Sequence, residues 1–262
     1  MNSTRPAAVA GTFYPGDQQE LNRLIAGFIN AVDHPQRAAP PKCLIVPHAG
    51  YIYSGSTAAY AYRLLQPHAA AITRVILLGP PHRVPVRGIA IPTWRHFATP
   101  LGEVELDQPA LTELEQFNFV SRSNAAHEFE HSLEVQLPFL KSLLDDFTLV
   151  PMVVGECAPE QVADVIDSLW GGDETLLICS TDLSHFHPYQ SAREIDLATC
   201  ELIKAEQPTI EGEQACGCRA LNGMLVAARR HGLPVAQLHY CNSGDTAGPK
   251  DSVVGYGAFS IG

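Results

Sequence analysis

Basic residues are scarce in this chain: 17 Lys and Arg stand against 28 Asp and Glu, a formal charge of −11 with histidine neutral. Nucleic acid and anionic membrane surfaces both call for a basic face, so neither is expected as the main partner. Long apolar runs are missing as well. Nothing approaches the roughly 18 to 20 residues of a membrane span. The first ten residues show no basic segment followed by an apolar one, so a cytoplasmic protein without a secretory signal is expected. There is no Gly-x-Gly-x-x-Gly or Walker pattern, which leaves nucleotide binding without support, and no Gly-x-Ser-x-Gly elbow. Internal repeats, low-complexity tracts and charge blocks are absent too. The seven cysteines are odd in number and lack framework spacing, which argues against structural disulfides in a reducing compartment. Cys43, Cys157 and Cys179 lie in or beside apolar runs and read as small buried hydrophobes.

What is present is a chain with a core. With 262 residues, 46% hydrophobic and 17% charged, it suits one large domain spanning 1–262. Gln18 to Val32 has helical periodicity behind Asp17 as N-cap, and the Pro-rich stretch Pro35 to Pro41 is a connector. Strands are expected at 43–46, 75–79, 88–91, 102–106, 147–154, 175–180, 235–240 and 252–261. Helices are expected at 54–65, 109–117, 131–144, 159–170, 189–205 and 218–231. This alternation predicts an α/β fold: a three-layer sandwich with a mainly parallel or mixed sheet covered on both faces.

Three of the strand-like runs end in histidine. Cys43–Val46 leads into Pro47-His48-Ala49-Gly50-Tyr51, Val75–Leu78 into Gly79-Pro80-Pro81-His82, and Thr175–Cys179 into Ser180-Thr181-Asp182-Leu183-Ser184-His185. Ligands of open α/β sheets bind beyond the carboxyl ends of the strands. Histidines brought together there point to metal binding or proton transfer. Asp182 and His185 are three apart, so one helical turn would put them on one face, where the carboxylate can orient the imidazole. The same spacing also fits Asp182 as a plain N-cap. Cys216-Gly217-Cys218 precedes a helix, whose N-terminus would lower a thiol pKa and favour metal ligation or nucleophilic reactivity. One of its cysteines is expected to face the crevice and the other to pack away. His131 and Glu134 share a helix face and read mainly as a solvated helix start.

Taken in order, several segments resemble the Memo family, whose fold is like that of class III extradiol dioxygenases. They are Pro6-Ala7-Ala8-Val9-Ala10-Gly11-Thr12-Phe13-Tyr14-Pro15, then Pro47-His48-Ala49-Gly50-Tyr51 with Tyr53-Ser54-Gly55, and Leu78-Gly79-Pro80-Pro81-His82. Glu130-His131-Ser132-Leu133-Glu134 with Leu137-Pro138, Ser180-Thr181-Asp182-Leu183-Ser184-His185 and Ala215-Cys216-Gly217 complete the set. The resemblance implies a metal site of two histidines and a cysteine, falling on His48, His82 and Cys216, with Asp182 and His185 beside the metal. His185 matches the catalytic base of the dioxygenases. A thiolate where those enzymes carry a carboxylate opens the site to copper(I) or zinc as well as iron(II). Pro81 stands where a small hydroxyl residue is usual, so a hydrogen bond to His82 is expected to be missing. Cys218 is a competing thiol two residues from Cys216.

Three functions compete on these grounds. The first is a redox protein or oxidoreductase with iron(II) or copper on His48, His82 and Cys216 and proton transfer through His185 and Asp182. Tyr51 and the 242–246 turn would shape its substrate side. The second is a zinc hydrolase on the same ligands. The third is a binding module that takes a peptide or small acidic ligand in the same crevice without catalysis.

Overall fold

In the computed structural model, which describes residues 3–33 and 39–262, the chain forms one twisted mixed sheet with helices packed on both sides. The Pro-rich connector expected over 35–41 lies largely outside the described residues. In chain order the elements are β1 (Thr4–Arg5), α1 (Gln18–Asn30), β2 (Cys43–Val46), α2 (Tyr51–Tyr62), β3 (Arg74–Gly79), β4 (Ile89–Ile91), β5 (His96–Thr99) and β6 (Gly102–Leu106). Then come α3 (Gln108–Glu113), β7 (Val120–Arg122), α4 (Asn124–Glu128), α5 (His131–Glu134), α6 (Leu137–Leu143), β8 (Thr148–Val154), α7 (Pro159–Ser168) and β9 (Thr175–Ser180). Last are β10 (His185–His187), α8 (Tyr189–Lys204), α9 (Cys218–Arg230), β11 (Val235–Asn242) and β12 (Val253–Ile261).

The middle of the sheet runs β8-β3-β9-β2, all parallel, and β12 joins β2 antiparallel. Parallel strands are covered on both faces and so need continuous rather than alternating apolar sequence. Cys-Leu-Ile-Val of β2 and Thr-Leu-Leu-Ile-Cys-Ser of β9 are buried at every position. β2 and β3 are not neighbours: β9 lies between them, and the carboxyl ends of all three stand side by side. Among the described residues no helix is long and apolar enough to cross a membrane.

Two expected elements differ. The helix read over 131–144 is broken into α5 and α6 by a turn at Val135–Gln136. Pro138 has no N–H to donate to the Glu134 carbonyl, so the ladder cannot run through it. The helical turn expected after β9 is absent: Thr181 to Ser184 is irregular, and His185–His187 forms β10, paired antiparallel with β12. Asp182 is therefore neither a helix N-cap nor on a helical face with His185. At the amino end of α1 the Asp17 side chain does accept from the Glu20 N–H at 2.8 Å, as expected of an N-cap.

Candidate metal centre

His48 follows β2, His82 follows β3, and His131 opens α5 beside them. One ligand nitrogen from each of the three lies within 4.8 Å of the others. The His48 and His82 rings meet edge-on with centroids 5.1 Å apart, and His82 and His131 lie at 4.5 Å. Gly79 makes this possible: a Cβ there would stand 2.8 Å from Leu133 and Ser132 of α5.

The tautomers of the two strand-end histidines follow from their partners. Ser180 Oγ donates to the Ser132 carbonyl at 2.6 Å and accepts from Gln136 Nε2 at 2.8 Å. With its proton committed, it can only accept from His48 Nδ1, 2.9 Å away. His48 Nε2 is thus a bare lone pair. Glu130 accepts from both the His82 backbone N–H (2.6 Å) and His82 Nδ1 (2.8 Å), which leaves His82 Nε2 bare as well. Glu130 thus holds His82 at both its ring and its backbone. Burial would raise the Glu130 pKa, but the hydrogen bonds it accepts from the His82 ring and from the Ser132 and His82 backbone N–H groups outweigh it and hold it at about 2.

Cys216 approaches from the loop before α9, its Sγ 3.3 Å from the bare His48 Nε2. The close passage rests on Gly217, where a Cβ would meet Thr181 Cβ at 2.6 Å and the Ser180 carbonyl at 2.9 Å. Typical metal–nitrogen and metal–sulfur bonds put two such ligand atoms about 3.1 Å apart at a right angle and about 3.6 Å apart in a tetrahedron. The observed separation falls between these values. His131 Nδ1 is buried without a hydrogen-bond partner, 3.5 Å from Glu130 Oε1. The three histidines fit a metal ion, and the Cys216 thiol stands beside this group, against His48.

Burial governs the electrostatics. It lowers the His48 pKa far below its usual value, helped by the neighbouring histidines, and brings His131 down to about 4, so both are neutral donors at pH 7. It also raises the Cys216 thiol strongly, with the Asp182 charge adding to the rise. The helix end expected to lower this pKa is overridden, and a metal would have to displace the thiol proton. Asp182 accepts from the His48 N–H at 2.7 Å; burial lifts its pKa to about 7, with the His48 N–H pulling the other way.

Asp182, His185 and His131 line one cavity of about 350 Å³, together with Phe13, Tyr53, Ser243 and Tyr256. Ser243 brings the 242–246 turn to its wall, as expected. Tyr51 is instead a core residue, 2% exposed, donating to the Val135 carbonyl. Cys216 meets the crevice at His48 while Cys218 is buried, as expected, and both residues border a second cavity.

The solvated helix start read at His131 and Glu134 is overturned. Glu134 is 0% exposed and pairs with Arg5 at 2.6 Å, while accepting from the Ala8 and Val9 N–H groups and Tyr14 Oη. Glu130, for which no role was read, orients His82. The signal for both was the Glu130–Glu134 segment itself, in which two carboxylates and a histidine share five residues.

A family model described as Memo-like protein matches residues 5–260. A MEMO1 family protein of Ignicoccus hospitalis is 36% identical, covering 97% of each chain. Another, from Aquifex aeolicus, is 34% identical over 96% of this chain and 97% of its own. Among solved structures, the uncharacterized protein JW3007 from Escherichia coli K12 aligns with a TM-score of 0.51 at 14% identity, covering 84% of this chain and 99% of that one; this likeness is one of fold alone.

Proposed function

The chain belongs to the Memo family, and from that premise we propose that it is a metal-dependent redox protein, an oxidoreductase, with iron(II) or copper held by His48, His82 and Cys216. The observation that carries this reading is the Cys216 thiol 3.3 Å from an unprotonated His48 Nε2. A soft thiolate beside two imidazoles suits these redox ions. When bound, the ion supplies one-electron chemistry and Lewis acidity at the edge of the crevice. His48 is fixed by Ser180 at its ring and by Asp182 at its backbone, and His82 by Glu130. His185, kept neutral by burial, takes a proton at the cavity wall, and Asp182, with its raised pKa, is placed to hold one near neutral pH. Phe13, Tyr53 and Tyr256 keep the reacting end of a small molecule or peptide away from bulk water.

A second reading has its own observation, the mutual approach of His48, His82 and His131. Three neutral imidazoles suit zinc and hydrolytic chemistry. Anaerobic purification with elemental analysis separates the two. The redox reading expects near-stoichiometric iron or copper, lost in His48→Ala and Cys216→Ser but kept in His131→Ala. Zinc lost in His131→Ala and kept in Cys216→Ser would establish the second reading. Metal far below stoichiometry in every sample, even after reconstitution, would overturn both and leave a binding module.

A further inference from the structure

Cys216 also faces a cavity of about 450 Å³ that shares no lining residue with the one bounded by His131, Asp182 and His185. Its apolar wall includes Pro80, Pro81, Val86 and Val154; its charged members are Arg87, Arg219 and Glu156. Both arginines are exposed, and among the described residues neither has a carboxylate partner. Two guanidiniums without a carboxylate partner thus border one concavity in a chain of net charge −11. Glu156 offsets one of them, which leaves a single net positive charge at the cavity.

We propose that this cavity is a subsite for a small amphipathic carboxylate, its oxygens paired with Arg87 and Arg219 and its hydrocarbon part against the prolines and valines. Guanidinium forks match carboxylates in geometry as well as charge, and a net charge of one suits a monoanion. The volume is that of a small-molecule site. Cys216 is the common wall between this subsite and His48, so a carboxylate seated here is delivered to the proposed metal. That consequence rests on the redox reading; the binding itself does not require an ion.

The test uses the full chain, metal-free, titrated calorimetrically with hexanoate, hexanol and hexylammonium. Hexanoate is expected to bind about tenfold or more tightly than the other two, and the double variant Arg87→Gln/Arg219→Gln to lose about tenfold or more of that affinity. Bound hexanoate is expected to slow alkylation of Cys216 and Cys218 by iodoacetamide in the wild type and not in the double variant. His48→Ala is expected to keep hexanoate binding, and the double variant to keep the wild-type metal content, so loss of the metal reading and loss of this one are told apart. Hexanol binding as tightly as hexanoate, or unchanged affinity in a double variant folded by circular dichroism, would overturn the proposal.

Discussion

Glu130 satisfies three N–H groups with two oxygens: the His82 backbone, the His82 ring and the Ser132 backbone. An amide in its place presents only one acceptor oxygen. Glu130→Gln is therefore expected to release the His82 ring and weaken metal binding by about 10- to 100-fold, measured by competition with a chromogenic chelator; unchanged affinity would remove Glu130 from the site. A second residue reports on pH. Burial brings the His127 pKa down to about 4, against the pull of the Ala90 carbonyl that Nε2 meets at 2.9 Å, and Nδ1 has no partner. Its neutral form favours the folded state. That contribution is fully present above pH 6.5 and is lost as pH falls from about 6.5 to about 4, because the unfolded chain takes up the proton first. The loss is on the order of 3 kcal/mol. Urea titrations of the metal-free chain across this range are expected to show the decline and His127→Gln to flatten it by a similar amount.

α5 is only four residues long, yet it joins the site to the amino-terminal segment. His131 faces the cavity, Ser132 accepts from Ser180, and Glu134 binds Arg5, Ala8, Val9 and Tyr14. Glu134→Gln leaves the Arg5 guanidinium buried and uncompensated. It is expected to cost about 3–5 kcal/mol in urea unfolding, and a loss under 1 kcal/mol would show that the pair is not a clamp. Elements of this kind resist sequence reading. The long buried strands β2, β3 and β9 were legible from continuous apolar runs, and the histidines at the ends of β2 and β3 from their shared position. β1, β5, β7 and β10 run two to four residues and carry no period of their own. The Asp182–His185 spacing implied a helix because local pattern cannot see β12, which recruits His185 into a strand. The Cys216 thiol was misread for a related reason: a helix end acts over one turn, whereas desolvation depends on everything packed around the group.

At the scale of the whole molecule, topology makes the site. Three parallel strands deposit their carboxyl ends side by side, α5 closes one flank, and the loop before α9 brings Cys216 across the end of β9. Residues 48, 82, 131, 182 and 216 come together only when the full sheet has formed, so a metal held there would be linked to global stability. The central claim is that two imidazoles and one thiolate hold the ion. X-ray absorption at the metal edge of the reconstituted chain tests it most directly. The account predicts one sulfur at about 2.3 Å with two imidazole nitrogens at about 2.0–2.1 Å, the sulfur shell vanishing in Cys216→Ser. A wild-type spectrum with nitrogen and oxygen neighbours only, and no sulfur, would contradict it.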